Sequence, residues 1–245
     1  MFKIAKNFVF VIVAALIWQL SVFLFKIPNY LLPAPADIIV SFSKNYLIII
    51  ENAFITLGEV LIGFFLANLI SLIIVCLIFY NKKIEKIILP ASITIKTIPI
   101  IAITPIIILW FGTGFFSKVV VVMAICFFPS LINMIRATKS INSDLFHIFT
   151  IYSATKKQTI TKLIIPSTLP YLFSSLKISS SLAVVGAIVG EFVAVNKGLG
   201  FLIMSNYYSL NMSMVFTTTL IVCLVGLLMY YCIDVIEKRL IDERY

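Results

Sequence analysis

Long apolar runs separated by short polar segments make up most of the chain, and their lengths suit a lipid bilayer. A helix needs about 20 apolar residues to cross the hydrocarbon core of a membrane. Runs of about this length occupy residues 8–25, 55–79, 91–111, 118–135, 175–195 and 214–233. This pattern predicts an all-α polytopic membrane protein with six transmembrane helices.

Two prolines, Pro99 and Pro105, lie within the third run. A proline removes one backbone hydrogen bond and its ring clashes with the preceding turn, so a helix that contains it bends or stops. Neighbouring helices and water can satisfy the freed backbone groups inside a membrane. We therefore expect the third transmembrane helix to be kinked or broken.

The segment after the first run has the pattern of a different kind of helix. From Asp37 onward it is apolar on one side and also carries Ser41, Ser43, Lys44 and Asn45. Asp37 can accept hydrogen bonds from early backbone N–H groups and so begin a helix. We expect an amphipathic segment that lies along the outer membrane face instead of crossing the bilayer.

Composition supports the membrane assignment and excludes several other classes. The chain has 245 residues, of which 62% are hydrophobic and only 12% are charged, and its mean hydropathy is +1.14. A soluble domain is about half apolar and about a quarter charged. The four cysteines lie in or beside apolar runs and form no CxxC pair, so we expect no disulfide framework and no metal site.

The basic residues are distributed unevenly between the two sets of polar segments, and this predicts an orientation. With the N-terminus in the cytoplasm, 14 of the 19 Lys and Arg fall on the cytoplasmic side and four outside, with Lys96 inside the third run. Cytoplasmic loops of membrane proteins are enriched in these residues. Both termini are therefore expected in the cytoplasm, and the net charge of +9 requires no nucleic-acid partner.

No motif for covalent chemistry or for ATP binding occurs in the sequence. There is no GxxxxGK[ST] phosphate loop, no HExxH and no GxSxG, and His147 is the single histidine. An active site usually shows several convergent titratable groups. We expect no catalytic residue in this chain, although the residues alone leave a membrane-embedded enzyme or a passive channel open.

Two carboxylates lie near the predicted outer ends of apolar runs. Glu59 is in the second run and Glu191 in the fifth, where Gly186 and Gly190 precede it with GxxxG spacing. A charge in a bilayer is costly, so such residues usually face a partner, a bundle interior or a water-filled path. The sequence leaves two alternatives open for Glu59 and Glu191. They are solvated at the membrane interface, or one or both line a substrate pathway or brace its outer gate.

The longest polar segment, residues 136–174, has the pattern of two short helices. Asp144 can begin the first, the chain then turns near Ser153–Lys156, and the second ends at Pro166. An amphipathic pair outside the bilayer needs a surface for its apolar side. Either a cytoplasmic protein or the lipid headgroups could supply that surface, since the lysines also favour anionic lipid.

Four stretches of the sequence resemble motifs of the permeases of binding-protein-dependent ABC importers, and they follow one another in the order and at the spacing found in that family. IYSATKKQTITKLIIPSTLPYLFSSLKIS resembles the cytoplasmic coupling loop, called the EAA loop, that docks on the ATPase. TIPIIAITPIIILWFGTG resembles the third-span pattern, GEFVAVNKGLGFLI the exit of the fifth span, and LLPAPADI the start after the first span. The residues of the coupling loop that match are Ala154, Gln158, Lys162, Pro166, Leu169, Pro170 and Tyr171.

This resemblance implies a transmembrane subunit without an ATP site of its own, in a bacterial plasma (inner) membrane. ATP and Mg would be held by a cytoplasmic ATPase subunit, a periplasmic or lipoprotein binding protein would deliver the solute, and two permeases would pair as a homodimer. Residues 1–51 would hold the first helix and the outer segment, 52–236 the permease core with coupling loop 136–174, and 237–245 a cytoplasmic tail.

The resemblance also assigns candidate site residues. Those expected to contact or support contact with the ATPase are Asp144, Ser153, Ala154, Thr155, Lys156, Gln158, Pro166 and Pro170. Those expected to shape the pathway or its gate are Glu59, Pro99, Pro105 and Glu191.

The chain departs from the family pattern at Ser153, where the family usually has glycine, and it also lacks the acidic residue that names the loop. A glycine there would adopt the left-handed conformation that ends the first coupling helix. Serine in that conformation costs about 1 kcal/mol, so the turn must be reshaped or strained. The chain is expected to couple to its own divergent ATPase.

Within the family, the chain is most similar to the group that imports sulfonates, nitrate, taurine and pyrimidine precursors. Glu59 and the pair Gly190–Glu191 resemble the branch for thiamine-precursor pyrimidines or riboflavin. Carboxylates near the outer side also disfavour a multiply charged anion. A neutral or cationic heterocycle is the expected solute, with sulfonate, taurine or nitrate as the alternative.

Overall fold

The computed structural model describes residues 2–194 and 196–242, with side chains described from residue 9 to residue 240 except for 11 and 195. The described chain is helical and contains no strand. Its helices are α1 (Phe2–Leu24), α2 (Pro35–Tyr80), α3 (Lys82–Lys96), α4 (Ile100–Phe111), α5 (Phe115–Lys139), α6 (Ser143–Ile151), α7 (Lys156–Thr159), α8 (Ile165–Ala194), α9 (Leu199–Tyr208) and α10 (Met212–Asp242). A π turn, Ile160–Ile164, joins α7 to α8.

Helix α5 lies at the centre of the bundle, between α2 and α8. Glycines on both neighbours allow the backbones to approach closely, as is common between membrane helices. A Cβ on Gly63 of α2 would lie 2.6 Å from Val122 Cβ, and one on Gly186 of α8 would lie 2.7 Å from Ile125 Cγ2. Gly186 and Gly190, which have GxxxG spacing, thus lie on the side of α8 that contacts α5.

Small polar side chains connect these three helices inside the apolar core. Ser130 of α5 donates to Asn68 Oδ1 of α2 at 2.8 Å, and Asn68 Nδ2 donates to Ser179 Oγ of α8 at 3.4 Å. Ser71 of α2 also donates to the carbonyl of Phe127 at 3.2 Å. Such bonds fix the register of helices that pack in lipid, where apolar contacts alone are less selective.

Helix α2 differs from the prediction because it continues without a break for 46 residues. At 1.5 Å per residue its length is about 69 Å, more than twice the hydrocarbon thickness. The predicted outer segment and second span are therefore parts of one helix, and the boundary predicted near residue 51 falls inside it. Asp37 lies in its first turn and accepts from Ala34 N–H at 3.2 Å.

The third span is broken, as the sequence predicted. Helices α3 and α4 meet at 101° across a break of a few residues. The break falls at Pro99, which caps α4, whereas Pro105 lies inside α4. A proline at a helix start loses no hydrogen bond that the helix needs, which explains why α4 begins there.

The lengths and composition of the helices agree with a multi-pass membrane protein. Four described helices are long and apolar enough to span a membrane, and the bent pair α3–α4 would be a fifth. Helix α1 contains a shorter apolar stretch, Ile12–Leu24. The count of six spans stays a prediction.

The predicted end of the second coupling helix at Pro166 is wrong. From Lys156 to Ala194 the chain is helical for 39 residues and passes through both Pro166 and Pro170. The π turn precedes Pro166, and Ile165 N–H donates to the carbonyl of Ile160, five residues back. This wider turn changes the bonding next to the proline, so the helix continues instead of stopping.

Candidate functional site

Glu59 and Glu191 are both fully buried, with 0% of each side chain exposed. The alternative that water at the membrane interface solvates them is therefore wrong. Glu59 lies on α2 and Glu191 three residues before the end of α8. A buried carboxylate must find protein partners, and the two residues find different ones.

Glu59 is compensated by Lys118, the first residue of the fourth apolar run and one of the four basic residues predicted outside the membrane. Lys118, in the first turns of α5, is 3% exposed, and its Nζ lies 3.0 Å from Glu59 Oε1. Neither Glu59 oxygen accepts a well-directed hydrogen bond from the described residues. The ion pair with Lys118 is thus the main compensation for the buried charge of Glu59. Lys118 Nζ also donates to the carbonyl of Lys197 at 3.3 Å.

Glu191 instead holds the N-terminus of the short helix α9. It accepts from Thr56 Oγ1 at 2.6 Å and from the Gly200 N–H at 2.5 Å. Thr56 in turn accepts from the Leu199 N–H at 2.8 Å. These contacts satisfy N–H groups that a helix start leaves free, and a carboxylate at this end also complements the helix dipole.

A further contact from α2 completes this arrangement. Asn52 Oδ1 accepts from the Gly198 N–H at 2.7 Å. Asn52 and Thr56 lie one turn apart on α2, and Glu59 follows about one turn later, so a single face of α2 carries all three. We call the six residues Asn52, Thr56, Glu59, Lys118, Gly198 and Glu191 the outer polar cluster, after the side of the membrane on which the distribution of basic residues predicts it.

Two glycines leave the space that the Glu191 carboxylate occupies. Gly198 has φ +111° and ψ 173°, a conformation essentially restricted to glycine. A Cβ on it would lie 2.1 Å from Glu191 Oε1, and one on Gly200 would lie 2.9 Å from Glu191 Oε2. The GLG sequence is therefore needed for the contact between α8 and α9.

The two prolines predicted to shape the pathway lie in different surroundings. Pro99 lines a cavity of about 510 Å³ beneath the break between α3 and α4, together with residues of α5 and α8. Pro105 is not among the residues that line it. Glu59 and Glu191 have their partners on α2, α5 and α9, and neither Pro99 nor Pro105 is among these partners in the described chain.

Ser153 adopts the left-handed conformation expected of the glycine that it replaces, with φ +52°. Its N–H donates to the carbonyl of Thr150 at 2.9 Å, and Ala154 N–H donates to that of Phe149 at 2.9 Å. These two bonds form a Schellman motif, which ends α6. The turn therefore keeps the shape that glycine would give and is strained, not reshaped.

The second half of the turn is a capping box. Thr155 Oγ1 accepts from Gln158 N–H at 3.3 Å, and Gln158 Oε1 accepts from Thr155 N–H at 2.8 Å. Gln158 thus has a structural role in starting α7, besides the ATPase contact predicted for it. Lys156 Nζ donates to the carbonyl of Tyr80, the last residue of α2, at 3.4 Å.

Helix α6 begins one residue earlier than predicted. Asn142 caps it by accepting from the Asp144 N–H at 2.9 Å, so Asp144 lies in the first turn and is not the cap. Large side chains at the end of α6 face outward: Ile151 is 78% exposed, and Tyr152, the residue that follows the helix, is 81% exposed. An apolar face left uncovered beside a tightly built turn is typical of an interaction surface.

Replacing Ser153 with Gly is expected to stabilise the chain by about 1 kcal/mol, because glycine adopts the left-handed conformation without the Cβ clash. The matched control is Ser153→Ala, which keeps the Cβ and should bring no such gain. Unfolding in mixed detergent micelles measures both. Equal effects of the two substitutions would contradict the strain in this turn.

Sequence reasoning missed several members of the outer polar cluster. Asn52, Thr56 and Lys118 were not selected, because polar residues at the ends of apolar runs are usually solvated. Helix α9 was also missed, since its residues were assigned to a loop after the fifth span. The GLG sequence next to a carboxylate was the available signal, and it marks a close backbone approach.

The bundle of long apolar helices, with buried polar contacts between them, defines an all-α polytopic membrane protein. Residues 59–242 match the model of the family described as "Binding-protein-dependent transport system inner membrane component". The chain belongs to this family, and the resemblance drawn from its four stretches is confirmed.

Several named relatives match more than 90% of the chain. It is 33% identical to the formylaminopyrimidine transport permease protein of Halalkalibacterium halodurans, over 96% of this chain and 94% of that protein. It is 33% identical to the riboflavin transport system permease protein of Chloroflexus aurantiacus, over 91% and 84% of the two chains. A putative aliphatic sulfonates transport permease protein of Bacillus subtilis is 28% identical over 93% and 83%.

The chain is therefore the permease component of an ABC importer and a multi-pass inner-membrane protein. Its family is one of permease subunits, which do not carry the ATPase site of the transporter.

Proposed function

We propose that this chain is the membrane-spanning subunit of an ATP-driven importer for a small heterocycle, with ATP and Mg²⁺ bound by a separate ATPase subunit. The observation that carries the proposal is the turn at 152–155, where a Schellman motif and a capping box fix two helices on the surface. Such a rigid surface turn suits docking of a partner protein better than adsorption to lipid.

The proposed ATPase contact consists of the exposed apolar side of α6 and the polar turn that follows it. Ser153, Thr155, Lys156 and Gln158 are exposed, and Ala154 is half-buried. Asp144 lies in the first turn of α6, at the start of the proposed contact surface. Pro166 and Pro170 lie in α8, which connects the turn to the helix bundle. An even mixture of apolar and polar side chains is common in protein interfaces.

The proposed assembly places this surface in the cytoplasm, together with both termini. The excess of basic residues on this side supports the orientation. A second copy of the permease would complete the pathway, and a periplasmic or lipoprotein binding protein would deliver the solute on the opposite face. Paired permeases are the arrangement that the resemblance to this family implies.

The mechanism we propose is alternating access driven by the ATPase. A motion of the turn passes directly into α8, because the chain from Lys156 to Ala194 is one helix. Lys156 also contacts the end of α2. Both helices carry members of the outer polar cluster, so both ends of the bundle respond to the same displacement. Coupling of this kind requires an element with two arrangements that each site biases.

Glu59 and Glu191 are proposed to brace the outer gate and not to line the pathway. Both are buried within one chain, out of reach of a solute in this conformation. Their partners come from α2, α5 and α9, so opening would require several of these contacts to break together. Glu59 and Glu191 therefore give little reason to disfavour an anionic solute.

The named relatives support a heterocyclic solute. The two relatives that are 33% identical are named for formylaminopyrimidine and riboflavin, whereas the relative named for sulfonates is 28% identical. Sulfonate, taurine or nitrate is the second candidate. A binding assay on the partner binding protein is the direct test of solute class.

Replacing Ala154 with Glu is expected to uncouple transport from ATP hydrolysis, because a bulky charge would stand in the proposed docking surface. The chain would be purified with the ATPase and the binding protein encoded by neighbouring genes. Solute uptake and ATP hydrolysis would then be measured in vesicles. Ser43→Glu, which places the same charge at an exposed position of α2 outside the docking surface, is the matched control. Unchanged uptake would remove Ala154 from the docking surface, and failure of the wild-type chain to form a complex would overturn the proposed function.

A further inference from the structure

Lys96 is a charged side chain within the broken third span, and none of the roles described above uses it. It is the last residue of α3, about 21 Å along the helix axis from Lys82 at the start of the same helix. Three lysines near that start, at positions 82, 83 and 86, fall in a polar segment, whereas Lys96 falls inside the third apolar run, residues 91–111. We therefore place Lys96 within the hydrocarbon region.

No carboxylate of the described chain neutralises this charge. The salt bridges among described residues involve four other lysines, and none involves Lys96. Its side chain is exposed, unlike that of Lys118. An ionised group at this depth is costly unless it is paired or faces a water-filled path. Because no described carboxylate pairs with Lys96, we infer that its ammonium group faces a water-filled path.

Lys96 lines the cavity of about 510 Å³ beneath the break at Pro99. This size lies within the usual range of small-molecule sites, which combine apolar walls with a few polar groups. Lys96 is the charged member of the lining, and most of the remainder is apolar. The flat or rigid side chains of the wall come from the break and from α5: Pro99, Phe128 and Pro129.

We propose that this cavity is a solute subsite of the permeation pathway, in which Lys96 selects solutes that present an oxygen acceptor on a flat apolar body. The proposal rests on the proposed function as an importer of small heterocycles. Phe128 and the prolines offer surfaces against which a ring can stack. The ammonium group of Lys96 would donate to a carbonyl or to an anionic oxygen of the solute.

A lysine in the last turn of a helix can also stabilise that helix through its dipole. This structural role would make no distinction between solutes. It would also change the stability of the chain by the same amount with or without solute. The two roles therefore differ in transport and not only in stability.

The test uses the whole transporter, with its ATPase and binding protein, in vesicles. Uptake of riboflavin, a formylaminopyrimidine and taurine is compared for the wild-type chain, Lys96→Met, Lys96→Arg and Lys86→Met. Lys86 is an exposed lysine at the other end of α3 and serves as the matched control. Stimulation of ATP hydrolysis by the loaded binding protein is recorded in parallel.

Lys96→Met is expected to reduce uptake by about tenfold or more, the loss that follows removal of one charge-assisted hydrogen bond. Lys96→Arg should retain uptake, Lys86→Met should match the wild-type chain, and stimulated hydrolysis should persist in all four. Reduced uptake of riboflavin and the formylaminopyrimidine by Lys96→Met would indicate that Lys96 contacts a carbonyl oxygen of the solute. Reduced uptake of taurine would indicate that it contacts an anionic oxygen.

Equal uptake by Lys96→Met and Lys86→Met would overturn the proposal, and so would equal losses in Lys96→Met and Lys96→Arg. Lys96→Gln provides the same comparison if Lys96→Met does not assemble with the ATPase. Absence of stimulated hydrolysis in the wild-type transporter would instead count against the proposed function itself. The two failures are thus distinguishable.

Discussion

Replacing Lys118 with Met is expected to lower the free energy of unfolding by about 3–5 kcal/mol, because it leaves the buried carboxylate of Glu59 without its ion-pair partner. Glu59 is 0% exposed and has no other well-directed donor in the described chain. The cost is therefore that of an uncompensated buried charge and greatly exceeds the loss of a surface contact. Unfolding in mixed detergent micelles measures it.

Two further variants separate this effect from a general loss of packing. Lys44→Met removes an exposed lysine from α2 and is expected to change stability by less than about 0.5 kcal/mol. The double variant Lys118→Met with Glu59→Gln removes both charges and should recover most of the lost stability. If Lys118→Met behaved like Lys44→Met, the ion pair would not compensate a buried charge.

Replacing Gly198 with Ala is expected to cost about 2–6 kcal/mol, which combines backbone strain of about 1–3 kcal/mol with overpacking of about 1–3 kcal/mol. The backbone at Gly198 has a positive φ of 111°, and the added Cβ would lie 2.1 Å from a Glu191 oxygen. We expect α9 to lose its docking on α8, and transport to fail with it. The measurements are unfolding and solute uptake.

Two other glycines of the chain separate the cost of backbone strain from the cost of overpacking. Gly112 has φ +79° and ψ 178°, but nothing lies within 4 Å of an added Cβ, so Gly112→Ala should show the strain alone. Gly114 has φ −74° and equally open space, so Gly114→Ala should be close to neutral. A cost at Gly198 no larger than that at Gly112 would show that Glu191 simply moves aside.

The sequence predicts well those features that depend on neighbouring residues. The helical nature of the long apolar runs and the broken third span follow from local chemistry, and the structure confirms them. At Ser153 the family resemblance left a reshaped or a strained turn open, and the structure shows the strained, left-handed one.

Features that depend on distant contacts were predicted less well. The outer segment and the second span have helical patterns of different polarity, and only packing shows that α2 runs through both. A proline usually ends a helix, but the π turn before Pro166 allows this one to continue. Lys118 was counted as an outer residue because nothing near it in the sequence indicates that Glu59 lies opposite.

The chain from Lys156 to Ala194 can be regarded as a lever. Its 39 helical residues span about 58 Å at 1.5 Å per residue. A tilt of about 5° about one end would displace the other end by about 5 Å, close to the rise of one helical turn. A small rotation imposed at the turn 152–155 would therefore suffice to move Glu191 out of reach of α9, without any relay of side chains between the two ends of the helix.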